Sequence, residues 1–229
     1  SAAMQAQLQE GLVAYYPFNG NANDESGNGH DGEVKGATLT VDRHGNNKSA
    51  YKFDGMHGIK LPLTPEDAPE QNTLSVWVKV PDLDKHRSSG GDKSIQLIKS
   101  NLALYWGNRN PINKIYQLSE ESDPNKRHWP KFEHDVAKDV ADWCQLIGTY
   151  DGTTMKLFIN GELVSTHQPG AKLSALTDAQ IGSYDGERIL PHHCLVDDVR
   201  IYNRALSADE ITALYDLEKP DYSKILKEG

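Results

Sequence analysis

Apolar and polar residues alternate in the segment TLSVWVKV, residues 73–80, with the period of two that is typical of a β-strand buried on one face. The alternation separates two sets of side chains: Leu74, Val76, Val78 and Val80 on one face, and Ser75, Trp77 and Lys79 on the other. Because the first set is wholly aliphatic, we predict that it faces the core of the domain.

Segments of the same kind, rich in Val, Ile, Tyr, Phe and Thr, recur along most of the chain and are bounded by Gly, Asn, Asp or Pro. We predict strands at residues 12–18, 49–53, 58–63, 73–80, 94–100, 102–106, 114–119, 144–150, 155–159, 162–167, 179–183 and 195–203. Regular helices do not alternate with these strands, as they would in a parallel sheet. The pattern therefore predicts an all-β fold, an antiparallel two-sheet β-sandwich.

The clearest turn joins the segments MKLFI, residues 155–159, and ELVST, residues 162–166. The two residues between them are Asn160 and Gly161. A type I′ turn requires positive φ at both central positions, and Asn-Gly is the pair that satisfies this best. We therefore predict a β-hairpin with a two-residue loop.

One strong helical pattern lies near the C-terminus, in RALSADEITALYDLEK, residues 204–219. Ser207 is a natural N-cap, and Glu210, three residues later, completes a capping box. A short apolar stripe follows, formed by Ile211, Leu214 and Tyr215. We predict one short C-terminal helix that packs on the sandwich.

The composition argues against two classes of partner. The chain has 24 Lys and Arg against 33 Asp and Glu, a net charge of −9, whereas nucleic-acid binding needs a basic surface. No segment approaches the roughly 20 consecutive apolar residues of a membrane-spanning helix. We therefore predict no nucleic-acid partner and no membrane span.

Three segments together resemble one domain family: GLVAYYPFNGNANDESGNGHDGEV at 11–34, WCQLIGTYDGTTMKLFINGELV at 143–164 and VDDVRIYNRALSADEITALY at 196–215. They are similar to signature blocks of the laminin-G-like, concanavalin A-like jelly-roll domains of bacterial secreted proteins. The resemblance implies a jelly roll over residues 11–216, often with a structural calcium. Residues 1–10 are interpreted as a tag remnant followed by the start of a mature secreted chain, and 217–229 as a C-terminal tail.

The loop NGNANDESGNGHDG, residues 19–32, is rich in oxygen-bearing side chains and glycine. Calcium takes about six to eight oxygen ligands from carboxylates, amides and backbone carbonyls. Asp24 and Asn28 offer side-chain oxygens, and His30 and Gly32 can add others. The spacing does not match an EF-hand. We predict a structural Ca²⁺ site here, with a solvated turn that binds no metal as the alternative.

A late aspartate is the expected distant ligand of this ion. On a regular strand Asp197 shares its parity with Val199 and Ile201, so it points where apolar side chains point. A carboxylate in that position is costly unless it is paired or bound to metal. The resemblance implies that the family's aspartate at this position lies beside the opening loop. Asp198, which has the opposite parity, is the second candidate; backbone hydrogen bonding of Asp197 is the alternative.

Aromatic residues with polar neighbours are candidate sugar platforms, because their apolar faces stack on pyranose rings. The segment NKRHWPKF, residues 125–132, places one tryptophan among basic side chains. Our candidate ligand-binding residues are Tyr105, Arg127, His128, Trp129, Tyr184 and Arg188. Basic residues there would suit an anionic glycan. The alternative is that Trp129 anchors its loop to the sandwich.

The chain has two cysteines, Cys144 and Cys194, each at the start of a predicted strand. Zinc ligation with His192 and His193 is the weaker interpretation, because adjacent residues of an extended strand point to opposite faces. For a secreted chain we predict a disulfide between the two cysteines. A pair of free thiols is the alternative.

The residues and the resemblance together favour a non-catalytic carbohydrate-binding or adhesion module that is secreted, periplasmic or on the cell surface. Its expected partner is a polysaccharide or a cell-surface glycan. Relatives on this fold that hydrolyse polysaccharides carry paired carboxylates on one strand, E-x-D-x-x-E or a close variant, and this chain has no such motif. A glycoside hydrolase or lyase with another catalytic set, and a protein-interaction module, are the alternatives.

Overall fold

The computed structural model describes residues 2–54, 57–67, 71–81, 142–168, 179–182 and 194–221, together with the backbone of four strands between residues 93 and 132. Two helices are described, α1 (Ala2–Gln7) and α2 (Ala208–Glu218). The described strands, in chain order, are β1 (Leu12–Tyr16), β2 (Glu33–Lys35), β3 (Thr38–Thr40), β4 (Ala50–Phe53), β5 (Gly58–Lys60), β6 (Asn72–Lys79), β7 (Lys93–Lys99), β8 (Leu104–Arg109), β9 (Ile112–Gln117), β10 (Lys131–Phe132), β11 (Cys144–Tyr150), β12 (Met155–Ile159), β13 (Glu162–His167), β14 (Gln180–Gly182) and β15 (Cys194–Tyr202).

These strands form two antiparallel sheets. The first sheet has the order β13-β12-β11-β6-β15-β4-β3, and β1 pairs with β15 beside β4. The second sheet has the order β10-β9-β8-β7-β14-β5-β2.

The predicted all-β, two-sheet sandwich is therefore confirmed, and each of the twelve predicted strands overlaps an observed one.

The main core lies between the two sheets, because one cluster of buried side chains draws on both. It includes Val76 of β6 and Val196 of β15 from the first sheet, and Ile59 of β5 and Ile181 of β14 from the second. The aliphatic face predicted for β6 is confirmed: Leu74, Val76, Val78 and Val80 all belong to this cluster. Trp77, on the opposite face, belongs to a separate cluster with Trp143 and Ala50.

The predicted hairpin between β12 and β13 is confirmed. Asn160 and Gly161 have φ values of 50° and 82°, and Ile159 pairs with Glu162 across the turn. Gly161 also lies against Tyr215 of α2, where a Cβ atom would meet the tyrosine side chain at 3.2 Å. The glycine thus serves the turn and the packing of the helix at once.

Helix α2 covers the outer face of the first sheet. Ser207 accepts a hydrogen bond from the backbone nitrogen of Glu210, and the Glu210 side chain bonds the backbone nitrogen of Ser207, which confirms the predicted capping box. Ile211 and Leu214 are fully buried in a second apolar cluster. None of the helices in the described part of the chain is long and apolar enough to cross a bilayer.

The packed unit extends past both predicted boundaries. Leu8, which follows α1, is 3% exposed and packs in the same cluster as Leu12 and Leu214. At the other end α2 continues to Glu218, whose side chain is buried. Leu8 and Glu218 therefore pack with the sandwich, although both lie outside the range 11–216 that the resemblance implied.

The capping box should make helix α2 sensitive to acid. Glu210 is buried, but hydrogen bonds from Arg204 and Ser207 outweigh this burial and hold its pKa below the usual range. A lowered pKa means that the contribution to stability is present at neutral pH and is lost as the pH falls below about 4.5. Glu210→Gln should cost about 1–2 kcal/mol at pH 7 and much less at pH 3, measured by urea unfolding.

The exposed neighbour Asp209 provides the control for this experiment. Asp209→Asn changes a carboxylate in the same helical turn without touching the capping box, and should cost less than about 1 kcal/mol at pH 7. If the stability of the Glu210→Gln variant changes with pH in the same way as that of the wild type from pH 3 to 7, Glu210 is not the source of the acid sensitivity.

Candidate functional site

The oxygen-rich loop 19–32 covers the free edge of β1. The Tyr15 nitrogen donates to Oδ1 of Asp24 at 2.9 Å, and the Glu25 nitrogen donates to the Tyr15 carbonyl at 2.8 Å. The Asn28 amide donates to the carbonyls of Leu12 and Val13, each at 2.9 Å. The loop thus satisfies main-chain groups that β15 does not pair, which would otherwise form an open sheet edge.

Asp24 organises this loop from within. Its Oδ1 accepts hydrogen bonds from the nitrogens of Tyr15 and Ser26, and its Oδ2 accepts them from Ser26 Oγ and the nitrogen of His30, all between 2.9 and 3.0 Å. The side chain is fully buried. Burial alone would raise its pKa, but these backbone donors hold the pKa of Asp24 below its usual range.

The other predicted loop ligands have structural contacts of their own. His30 places one ring nitrogen 3.2 Å from the Val13 carbonyl, and its own carbonyl accepts the Tyr16 hydroxyl at 2.7 Å. Gly32 donates its nitrogen to the Ala22 carbonyl, and a Cβ atom there would meet Ile59 at 2.8 Å. Gly32 is therefore required for the close approach of the loop to β5.

The two late aspartates share one guanidinium. Arg43 Nη1 donates to Asp197 Oδ2, and Arg43 Nη2 donates to Asp198 Oδ2. The remaining oxygens also have donors, since Asp197 Oδ1 accepts the Asp198 nitrogen at 2.8 Å and Asp198 Oδ1 accepts the Tyr15 hydroxyl at 2.6 Å. All four oxygens are thereby engaged by groups of the protein.

The parity predicted for Asp197 is wrong, because β15 contains a β-bulge between Asp197 and Arg200. Val196, Val199 and Ile201 belong to the main core cluster, with two residues instead of one between the first pair. Asp198 occupies the extra position, with a φ of 41°. The bulge brings the carboxylates of two consecutive residues to the same guanidinium, which a regular strand does not allow.

The charges in this cluster are unequal, with one guanidinium for two buried carboxylates. Burial and the neighbouring charge of Asp198 together raise the pKa of Asp197 above its usual range, although Arg43 opposes the shift. Burial and Asp198 also raise the pKa of the Tyr15 hydroxyl well above 10, so the phenol remains a hydrogen-bond donor at neutral pH.

The predicted calcium ligands do not converge in this arrangement. Asp24 is bonded to the backbone nitrogen of Tyr15 and Asp198 to its hydroxyl, at the two ends of the residue. No cluster of three or more His, Cys, Asp or Glu side chains with metal-binding geometry occurs among the described residues. Because the oxygens of Asp24, Asp197 and Asp198 are engaged by protein donors, this set does not fit a calcium ion as it stands.

A second ion pair continues the network under helix α2. Arg200 Nε donates to Glu218 Oε1 at 2.6 Å, while Trp77 Nε1 and Gln145 Nε2 both donate to Glu218 Oε2 at 2.9 Å. The main-chain carbonyl of Glu218 accepts the Nε of Arg43 at 2.8 Å. Glu218 thus joins the C-terminal helix to β6, β11, β15 and the loop that carries Arg43.

Sequence reasoning missed both centres of this network. Arg43 lies in a loop, DRHGNN, whose local pattern indicates only a turn. The burial of Glu218 could have been predicted from its spacing in the sequence. It follows Ile211 by seven residues and Leu214 by four, so it lies on the buried stripe of α2. A charged residue on that stripe predicts a buried ion pair.

The disulfide prediction is wrong, since Cys144 and Cys194 are both buried and are not joined by a disulfide. Cys144 lies on β11 and Cys194 on β15, and β6 runs between these two strands. Two strand spacings separate the cysteines by about 10 Å, beyond the reach of a disulfide. Burial raises the pKa of Cys194 to about 12, so its thiol stays protonated.

The predicted ligand-binding residues fall largely outside the described residues: Arg127, His128, Trp129, Tyr184 and Arg188. Tyr105 lies on β8, where its backbone pairs with Gln96 of β7 and Tyr116 of β9. The segment that holds Trp129 follows β9, and the segment that holds Tyr184 follows β14.

Two antiparallel sheets packed face to face, with a capped C-terminal helix on the outer face of one, define a jelly-roll sandwich of the lectin type. The chain belongs to the Concanavalin A-like lectin/glucanases superfamily, whose family model matches residues 53–212. The family and fold that the resemblance implied are thereby confirmed.

Solved structures with the same fold include binding domains of bacterial toxins. The ligand binding domain of botulinum neurotoxin serotype D, solved in complex with N-acetylneuraminic acid, is similar with a TM-score of 0.70 and 19% identity, over 94% of this chain and 53% of that chain. The binding domain of Paraclostridial Mosquitocidal Protein 1 has a TM-score of 0.71 and 18% identity, over 92% and 53%. The receptor binding domain of the botulinum neurotoxin C/D mosaic serotype has a TM-score of 0.70 and 19% identity, over 92% and 52%.

At this level of identity the likeness shows the fold. The chain spans about half the length of these toxin domains. No curated protein matches the chain.

Proposed function

We propose that this chain is a non-catalytic carbohydrate- or receptor-binding module that acts outside the cell. The observation that carries the proposal is the likeness of 94% of the chain to a ligand binding domain solved with N-acetylneuraminic acid, within a superfamily that includes lectins. A sialic acid is an anionic sugar, and the basic candidates Arg127 and Arg188 suit a carboxylate of this kind.

Four buried carboxylates among the described residues are each paired with an arginine, which supports binding without chemistry. Asp197 and Asp198 are held by Arg43, Glu210 by Arg204, and Glu218 by Arg200. Glycoside hydrolysis needs two carboxyl groups that face the substrate across a cleft. These four acids instead form ion pairs with arginine side chains, and these ion pairs stabilise the sandwich.

The two groups of candidate ligand-binding residues follow different strands of the second sheet. β9, β8, β7 and β14 are successive antiparallel neighbours, so β9 and β14 run in opposite directions. The chain therefore leaves β9 after Gln117 and β14 after Gly182 toward opposite ends of the second sheet. We place the proposed glycan platform in the segment after β9, with Trp129 as the stacking residue and Arg127 as the anion-binding one.

A glycan screen tests this proposal. The full chain should bind acidic glycans that end in N-acetylneuraminic acid, and Trp129→Ala should weaken the binding at least about tenfold, as loss of an aromatic anchor does. Val34→Ala provides the control, because Val34 is an exposed apolar residue on β2, at the edge of the second sheet opposite β10. Binding to no glycan would favour a protein receptor, and release of reducing sugars would favour an enzyme.

A further inference from the structure

We propose that the guanidinium of Arg43 is the cation that stabilises this domain, in the structural role that the sequence analysis predicted for a calcium ion. It links an early loop to a late strand and to the C-terminal helix. Nη1 and Nη2 bind Asp197 and Asp198, and Nε donates to the Glu218 carbonyl at 2.8 Å. One side chain therefore joins its own loop to two segments that are more than 150 residues away in sequence.

The loop that carries Arg43 is held in place by its own hydrogen bonds. Asp42 Oδ1 accepts the nitrogens of His44 and Asn46, each at 2.8 Å, and Asp42 Oδ2 accepts the Asn46 amide at 2.9 Å. These bonds form a compact turn that fixes the position of the Arg43 backbone, from which the guanidinium reaches its acceptors. The Arg43 side chain is 3% exposed and lies over the Trp77 ring, 4.7 Å from its centroid.

The chemistry of the acceptors suits a guanidinium better than a metal ion. A guanidinium presents its donors in a fixed planar fork, and the two aspartates and the helix carbonyl each take a different nitrogen. The two carboxylate oxygens that do not face Arg43 are bound by the Tyr15 hydroxyl and the Asp198 nitrogen. Calcium would need about six oxygens, whereas the two aspartates supply four, each already bound by a donor of the protein.

The backbone of β15 is shaped for this contact. Asp198 has a φ of 41°, a conformation that non-glycine residues seldom adopt, and it forms the bulge that turns both carboxylates toward Arg43. Such a backbone persists where surrounding contacts stabilise it. Here those contacts are the Arg43 fork and the Tyr15 hydroxyl.

Thermal unfolding of the full chain tests the proposal. For the wild type we expect the same melting temperature in EDTA and in excess calcium chloride. Arg43→Ala should lower the melting temperature by about 10 °C, because it leaves two buried carboxylates without a counter-ion. Calcium should partly restore the stability of this variant, since the cavity left by the guanidinium then faces both carboxylates.

Arg204→Ala is the matched control, because Arg204 also holds a buried carboxylate, that of Glu210. It should be destabilised, with no response to calcium. A wild-type melting temperature that falls in EDTA and recovers with calcium would overturn the proposal, and so would an Arg43→Ala chain as stable as the wild type. If Arg43→Ala does not fold, Arg43→Lys provides the second variant, and the wild-type comparison of EDTA with calcium still decides.

Discussion

Replacing Glu218 with alanine is expected to lower the free energy of unfolding by about 3–5 kcal/mol, the usual cost of breaking a buried ion pair from one side. The substitution leaves the guanidinium of Arg200 without its carboxylate. It also removes the acceptor of Trp77 Nε1 and Gln145 Nε2, two further donors under helix α2. Equilibrium unfolding in urea measures the loss, which should also appear as a fall in melting temperature of about 10 °C.

Asp216→Ala is the control for this prediction. Asp216 lies on the same helix and pairs with Lys219, but both side chains are largely exposed. Its removal should leave the stability nearly unchanged. If Glu218→Ala unfolds at the same urea concentration as Asp216→Ala, the buried network does not hold the C-terminal helix.

The second large effect is expected at Asp24. Asp24→Ala removes the acceptor of four hydrogen bonds, three of them from the backbone nitrogens of Tyr15, Ser26 and His30. Unsatisfied donors in a buried position are costly, so we expect a loss of about 2–4 kcal/mol, measured by urea unfolding. The edge of β1 should open at the same time, which hydrogen exchange at Tyr15 would detect.

Glu25→Ala controls for the removal of a carboxylate from the same loop. Glu25 is exposed and contacts β1 through its backbone nitrogen, which the substitution retains. It should therefore be close to wild type in stability. Equal losses for Asp24→Ala and Glu25→Ala would show that loop charge, rather than the hydrogen bonds of Asp24, matters.

The sandwich could be predicted from sequence because its signals are local. The alternation in β6, the Asn160-Gly161 turn and the Ser207 capping box each depend on residues a few positions apart. The strands that sequence analysis missed, β2, β3 and β10, have only two or three residues and lie at the ends of the sheets. Such short segments do not show a period of two.

The ion network could not be predicted, because its parts are distant in sequence. Nothing near Arg43 indicates that its partners lie on β15, about 150 residues later. The bulge at Asp198 also reverses the parity on which the orientation of Asp197 was predicted. The cysteines were predicted to pair from their positions at strand starts, which do not reveal that β6 separates their strands.

The opening loop and the late aspartates stabilise the sandwich, and we propose that the module binds its glycan without altering it. The most direct test is equilibrium binding of a sialylated oligosaccharide to the full chain, followed by mass spectrometry of the recovered sugar. We predict saturable binding and an oligosaccharide recovered intact after prolonged incubation. A cleaved oligosaccharide, or no binding to any glycan tested, would contradict the account.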